Sequence, residues 1–228
     1  MVLNLLIGLP GDRPGGLLLS LLYFVASAAA ALAAGFAYAA ICVRLPRASL
    51  LLQGASAVLR GIPLILLVFL FAHVSAFTAG MAGLVALTLY SSGHVGEVLR
   101  SFLSAYPKAA AEQAQLMAIG SGREWLQLRM PWTLWRSWTA LVTHWVSLLK
   151  DTGALVVLGI GELTTSAKVL SEVSPSFDQW ATVLVVAAGL YLAATLALIQ
   201  FVPYAAGKLF RILQAQKPAS KQAAEHYA

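Results

Sequence analysis

The chain has 228 residues, 60% of them hydrophobic and 11% charged, with a mean hydropathy of +0.80. Soluble domains carry about 25% charged residues, so an ordinary soluble fold is excluded and one polytopic membrane domain is expected, since no polar stretch is long enough to fold separately. The net charge of +6 comes from 15 basic and 9 acidic residues; the basic ones flank apolar spans, which reads as membrane topology and not as nucleic-acid binding. The single Cys42 excludes an intrachain disulfide and reads as a small core residue.

Residues 1–16 carry the turn formers Pro10-Gly11-Asp12 and Pro14-Gly15-Gly16. They lack the basic start of a cleaved signal, and the uncharged run from Pro14 to Val43 is too long for a signal core. The first membrane span is expected from Leu17 to Val43. It is long enough to cross about 30 Å of hydrocarbon, is rich in Ala and Gly that allow close helix approach in lipid, and is closed by Arg44 and Arg47. A second span, Leu50 to Ala72, is interrupted by Arg60-Gly61-Ile62-Pro63. Pro63 predicts a kink near Leu59, and Arg60 is expected at the cytoplasmic edge or facing protein. The third span, Gly80 to Leu103, contains Ser91-Ser92-Gly93-His94 and Glu97, a polar side that must face protein or water. Glu97 and Arg100 are three apart and are expected to pair.

The segment from Pro107 to Thr152 is the only long one rich in charge. Its loop, 107–136, holds Lys108, Glu112, Arg123, Glu124, Arg129 and Arg136, with small residues at Ala114, Ala118, Gly120 and Gly122, and a stop is expected at Met130-Pro131. The fourth span, Leu134 to Leu158, includes His144 and Lys150-Asp151, neighbours that point about 100° apart and so are expected to have different partners. A break is expected at Gly153, Gly159 or Gly161. A connector, 162–179, sets Lys168 against Glu162, Glu172 and Asp178, a net −2. The fifth span is Trp180 to Tyr204, followed by a polar tail at 214–228 with Lys217 and Lys221. Basic residues at 44–47, in the loop and in the tail place these in the cytoplasm and the acidic connector outside. The expected fold is all-α with about five transmembrane helices, N-terminus out and C-terminus in.

The loop resembles the EAA motif, the cytoplasmic coupling loop of permease subunits in binding-protein-dependent ABC importers. Glu112 and Pro131 fall at the family spacing. Gln113 replaces the first Ala, and Ala118 stands where Gly is usual, with Gly120 two residues later. Ala118 is small enough for the helix-turn-helix to survive. Ser147-Leu148-Leu149-Lys150-Asp151-Thr152 followed by Gly159-Ile160-Gly161-Glu162-Leu163 is similar to the SLLKDT and G-x-x-EL signature of polar amino acid permeases. Arg60-Gly61-Ile62-Pro63-Leu64 is similar to their RGTPL, and Glu97-Val98-Leu99-Arg100 with Pro107-Lys108 to their AEIFR and PKG blocks. The four blocks keep their order across residues 16–213, so 1–213 is expected to be one transmembrane permease domain.

The resemblance implies a multi-pass protein of the bacterial inner membrane with three protein partners: ATPase subunits, a second permease subunit (the same chain or a paralogue) and an extracytoplasmic solute-binding protein. It implies a small polar solute such as an amino acid, and ATP bound by the partner. Glu112, Ala114, Ala118, Gly120 and Pro131 would form the ATPase-coupling surface. Tyr90, His94, Thr143 and His144 would line the solute pathway, where the family carries an Asn and often a carboxylate. Arg60, Glu97, Arg100, Lys150 and Asp151 form the intramembrane polar set.

No catalytic residues are expected. The chain has no GxxxxGK[ST] loop to hydrolyse ATP, and its histidines, His73, His94, His144 and His226, lack an HExxH spacing, so no metal site and no cofactor of the chain's own are expected. The other function classes are a non-transport membrane scaffold, an intramembrane enzyme and an ATP-independent channel.

Overall fold

The computed structural model describes residues 1–11, 14–74 and 76–215. Among them the chain is helical, its only β feature being one bridge between Gly16 and Glu162. The helices are α1 Val2–Ile7, α2 Gly16–Arg44, α3 Pro46–Gly61, α4 Leu64–Ala72, α5 Ala79–Ser104, α6 Lys108–Leu116, α7 Ser121–Glu124, α8 Met130–Asp151, α9 Leu163–Glu172 and α10 Phe177–Ala215. From residue 216 on, the expected polar tail lies outside the described residues.

Three helical stretches among these residues are long and apolar enough to cross a membrane: Gly16–Arg44, Ser121–Leu158 and Phe177–Gln200. The pair α3–α4 makes a fourth if it counts as one crossing, and it is bent by 95°. The bend is sharper than the expected kink and sits at Ile62-Pro63, not near Leu59. Pro63 pushes the residue before it out of the helical region, and Ile62 is extended at φ −83°, ψ 124°. The 26 residues of α5 extend about 39 Å, enough to cross, but they carry the polar groups described below.

The bundle is organised on α2 and α5. At their crossing a Cβ on Gly35 would sit 2.7 Å from Val95 Cγ1, and one on Gly96 would sit 2.7 Å from Tyr38 Cδ1. Glycine on both helices lets the backbones meet, which is how helices gain packing energy where lipid offers no hydrophobic drive. Phe24, Val68, Leu87, Leu99, Leu141 and Leu148 from α2, α4, α5 and α8 fill the main core. A second core joins Leu5 of α1 to Leu163 and Ala167 of α9 and Val183 and Ala187 of α10.

Of two breaks expected from sequence, one falls elsewhere and one falls where expected. Met130-Pro131 does not stop a helix; it opens α8. Proline tolerates a first turn because it needs no N–H partner there, and the chain reaches it through a π turn, Trp125–Arg129, in which the Met130 N–H bonds the Trp125 carbonyl. The fourth span runs through Gly153 and breaks at another of the three expected glycines. It tightens into a 3-10 helix over Thr152–Leu158 and ends at Gly159, whose φ of 68° is a left-handed cap suited to glycine.

The connector is not a solvated acidic loop. It holds α9, and Glu162 is fully buried at its N-cap. The carboxylate accepts from the N–H groups of Thr164 (2.9 Å) and Thr165 (2.8 Å), from Ser20 Oγ (3.1 Å) and from Tyr191 Oη (3.0 Å). Glu162 therefore ties α2, α9 and α10 together, and the negative charge suits a helix N-terminus. Without it the connector presents Lys168, Glu172 and Asp178, a net −1 and not −2.

Candidate functional site

Two regions collect the candidate residues: the loop between α5 and α8, and a polar patch where α5 meets α8.

In the loop, α6 starts after Pro107 and ends in a Schellman turn. The Ile119 N–H bonds the Ala114 carbonyl at 3.0 Å and the Ala118 N–H bonds the Gln115 carbonyl at 2.9 Å. That turn needs its middle residue in the left-handed region, and Ala118 is there with φ 53°, the only non-glycine so placed among the described residues. The sequence reading took position 118 as a matter of size; the backbone makes it a matter of φ. Gly120, at φ −59°, does not take over this role, and a Cβ on Gly120 or Gly122 would meet nothing within 4 Å. Ala114 is turned inward at 2% exposure. Glu112 is exposed without a partner among the described residues, and beside it Leu116 and Met117 are 87% and 73% exposed.

The loop's tip stands free, but its root is fastened. Arg129 Nε lies 2.8 Å from Glu124 Oε1. On an α-helix residues five apart point about 140° away from each other; the π turn between them brings them together. The Arg129 guanidinium sits 5.1 Å from the Tyr106 ring, and Tyr106 meets Trp132 edge-on at 5.4 Å. Burial pushes the Tyr106 phenol above its ordinary pKa; nearby Glu124 adds to the rise and Arg129 opposes it. Arg44, the last residue of α2, lies 4.3 Å over the Trp125 ring. Cation–π contacts thus hold the root to the ends of α2 and α5. Sequence reasoning missed this network; the one available signal was two Arg–aromatic alternations flanking the loop.

Within the bundle, Glu97 binds Arg100 at 2.8 Å as expected, with Arg60 at 3.9 Å, and accepts a hydrogen bond from Tyr38. Arg60 reaches toward Glu97 but stays exposed on α3, and its Nε donates to the Ser56 carbonyl at 3.3 Å. Three of the four pathway candidates come together. The Tyr90 and His94 rings are 4.9 Å apart, and His94 stacks on His144 at 5.1 Å and 12°. Ser91 Oγ lies 2.8 Å from His144 Nε2, and His94 Nδ1 reaches the Tyr90 carbonyl at 3.1 Å. That bond makes Nδ1 the donor and leaves Nε2 of a neutral His94 as an acceptor. Thr143 does not join them: it is on the exposed face of α8, its hydroxyl bonded back to the Thr139 carbonyl at 3.0 Å. Asp151 is half-buried within electrostatic range of Tyr90 and His94. Neither the Lys150 nor the Asp151 side chain makes an ion pair or a hydrogen bond among the described residues, so the separate partners expected for them are not found there. No group of three or more His, Cys, Asp or Glu side chains is placed to hold a metal among the described residues.

No family model matches the chain. A probable glutamine ABC transporter permease protein, GlnP of Bacillus subtilis, is 28% identical over 146 residues, covering 61% of this chain and 66% of that protein. The arginine ABC transporter permease protein ArtQ of Haemophilus influenzae is 29% identical over 153 residues, covering 61% and 67%. An inner membrane amino-acid ABC transporter permease protein of Escherichia coli, YhdY, is 29% identical over 117 residues, 48% of this chain but 32% of that protein. The matched stretches thus span from about a third to two thirds of these relatives. Among solved structures, an amino acid ABC transporter crystallised with histidines shares the fold at a TM-score of 0.70 and 19% identity, covering 84% of this chain and 91% of that one. The MetNI methionine ABC transporter, in inward-facing form, does so at 0.62 and 16%, covering 86% and 92%. The chain's curated homologues are amino-acid ABC transporter permeases, as the resemblance of the sequence blocks implied, and its fold is that of ABC-transporter membrane subunits.

Proposed function

We propose that this chain is the membrane permease subunit of a binding-protein-dependent ABC importer, lining the pathway for a polar amino acid or related small solute. In this reading it crosses the membrane five times with the loop inside, pairs with a second permease subunit, receives solute from an extracytoplasmic binding protein and leaves ATP hydrolysis to partner ATPases. The observation that carries the proposal is the α6–α7 loop. A short helix with a free carboxylate and two exposed apolar side chains at its tip is a docking element. A root fastened to α2, α5 and α8 makes it a lever and not a tether. The relatives' names, glutamine and arginine permeases, support an amino-acid solute.

ATPase closure would move the tip, and the root would carry that movement to the helices that bound the pathway, opening it to one side at a time. Glu112 can accept charge-assisted hydrogen bonds from a partner Arg or backbone N–H, and Leu116 and Met117 can fill a groove. Co-expression with a candidate partner ATPase tests this. Wild type is expected to co-purify with it and to support uptake in reconstituted vesicles. Ala118→Trp and Glu112→Ala are expected to insert normally but lose ATPase association or uptake. Normal association and uptake in both variants would refute the docking role, and uptake without any ATPase would favour a channel.

A further inference from the structure

The exposed faces of the membrane helices differ in kind. On α2 they carry Leu18, Leu22 and Val25, and on α10 Val185, Leu192 and Ile199, side chains suited to lipid. On α8 the exposed residues, Trp135 apart, are Arg136, Thr139, Thr143, Ser147 and Lys150. With about 100° between successive residues these five fall within an arc of about 80°, and at 1.5 Å per residue they run about 21 Å along the axis. They form one stripe, over most of the hydrocarbon thickness, with a cation at each end and hydroxyls between. The Ser147 hydroxyl and the charges of Arg136 and Lys150 have no hydrogen-bond or ion-pair partner among the described residues. Ionised groups at such depth are costly against lipid and face water or protein. The imidazoles of His94 and His144 and the carboxyl of Asp151 flank the stripe where α8 meets α5.

We propose that this stripe is the wall of a water-filled solute pathway, and that its two cations select solutes whose carboxylate is not offset by a second positive charge. Neutral and acidic amino acids fit this wall; basic ones are repelled by it. The stripe contains no acidic side chain, and Asp151 beside it offsets only one of the two cations. The solute class rests on the importer reading, whereas the aqueous position of the stripe does not.

The test starts from a Cys42→Ser background, which removes the chain's one native thiol. Single cysteines at Thr139, Thr143 and Ser147, with Leu192→Cys as a lipid-facing control, are exposed in membrane vesicles to an anionic and a cationic methanethiosulfonate. The stripe positions are expected to react and position 192 to stay silent. Residues three apart on a helix lie about 5–6 Å apart, so adding Lys150→Gln to Ser147→Cys should slow the anionic reagent and speed the cationic one. The size of each change should be about two- to threefold. In uptake-competent vesicles L-glutamine and L-glutamate should protect position 147 better than L-arginine. If positions 143 and 147 are as unreactive as 192, the stripe does not face water and the inference fails. If they react but Lys150→Gln changes neither rate, or arginine protects best, charge selection is wrong. The labelling needs no ATPase, so loss of the importer reading would leave it decisive.

Discussion

Replacing Ala118 by Gly relaxes the one strained position of the α6–α7 turn. A left-handed backbone costs an L-residue roughly 1–2 kcal/mol, because its Cβ crowds the following carbonyl, and Ala118 is held there at φ 53°. Glycine removes that cost but adds chain entropy to the unfolded turn, worth about 0.4–1 kcal/mol in the opposite direction. The net gain is about 0.5–1 kcal/mol, a two- to fivefold shift in local opening. Two amide hydrogens report it directly, those of Ala118 and Ile119, bonded to the Gln115 and Ala114 carbonyls. In nanodiscs, hydrogen exchange at both should slow two- to fivefold in Ala118→Gly. It should quicken in Ala118→Val, whose branched side chain is worse still at positive φ. Equal or faster exchange in the glycine variant would mean that the turn is not left-handed at 118, and the structural account of the loop would fail with it.

At the loop root, Arg44→Ala should leave insertion intact yet lower uptake per ATP hydrolysed, with Arg44→Lys recovering part of it, because the contact with Trp125 needs only a cation; an unchanged coupling ratio would release α2 from the transmission path. Glu162→Ala should cost about 2 kcal/mol or more, seen as a lower unfolding midpoint in detergent, since it leaves the Thr164 and Thr165 N–H groups without their acceptor and takes one partner from each of the Ser20, Thr165 and Tyr191 hydroxyls. The exposed Asp178→Leu should be nearly neutral, and equal midpoints would argue against the hub. For topology, single cysteines at Lys108 and Glu172 in the Cys42→Ser background should be labelled by an impermeant maleimide from the inside and the outside respectively, and labelling of both from one side would refute the five-crossing arrangement.

Long apolar runs were legible as helices because composition alone fixes them in lipid: the first span, expected at 17–43, is α2 at Gly16–Arg44. The pairing of Glu97 with Arg100 followed from helical spacing alone. Features set by backbone geometry were not legible. Pro131 reads as a stop, yet it sits in the first turn of α8, where its missing N–H costs nothing, after a π turn has rearranged the hydrogen bonds before it. Glu162 reads as a surface acid, yet it caps α9 with partners from α2 and α10 more than a hundred and nearly thirty residues away. Of the pathway residues, Tyr90, His94 and His144 converge because α5 and α8 are packed against each other. Thr143 lies about 100° round the helix from His144 and cannot share its contacts.

An accounting of charge separates the two kinds of polar residue in this bundle. Arg60, Glu97 and Arg100 sit on α3 and α5 and bond one another; Glu162 bonds backbone and hydroxyl groups; Glu124 and Arg129 bond each other at the loop root. Their requirements are met inside the chain, so removing one partner would be felt as lost stability. Arg136, Lys150 and Asp151 have no such partners among the described residues, and all three belong to α8. A sequence that satisfies its other deep charges and leaves this helix unsatisfied has placed its open valences on one surface. In the proposed importer reading that surface runs from the outer end of α8 to the turn that meets the loop, so a shift of the root would move the stripe directly. In the same reading, docking at the tip of α6 and solute selection on α8 are joined through the fastened root.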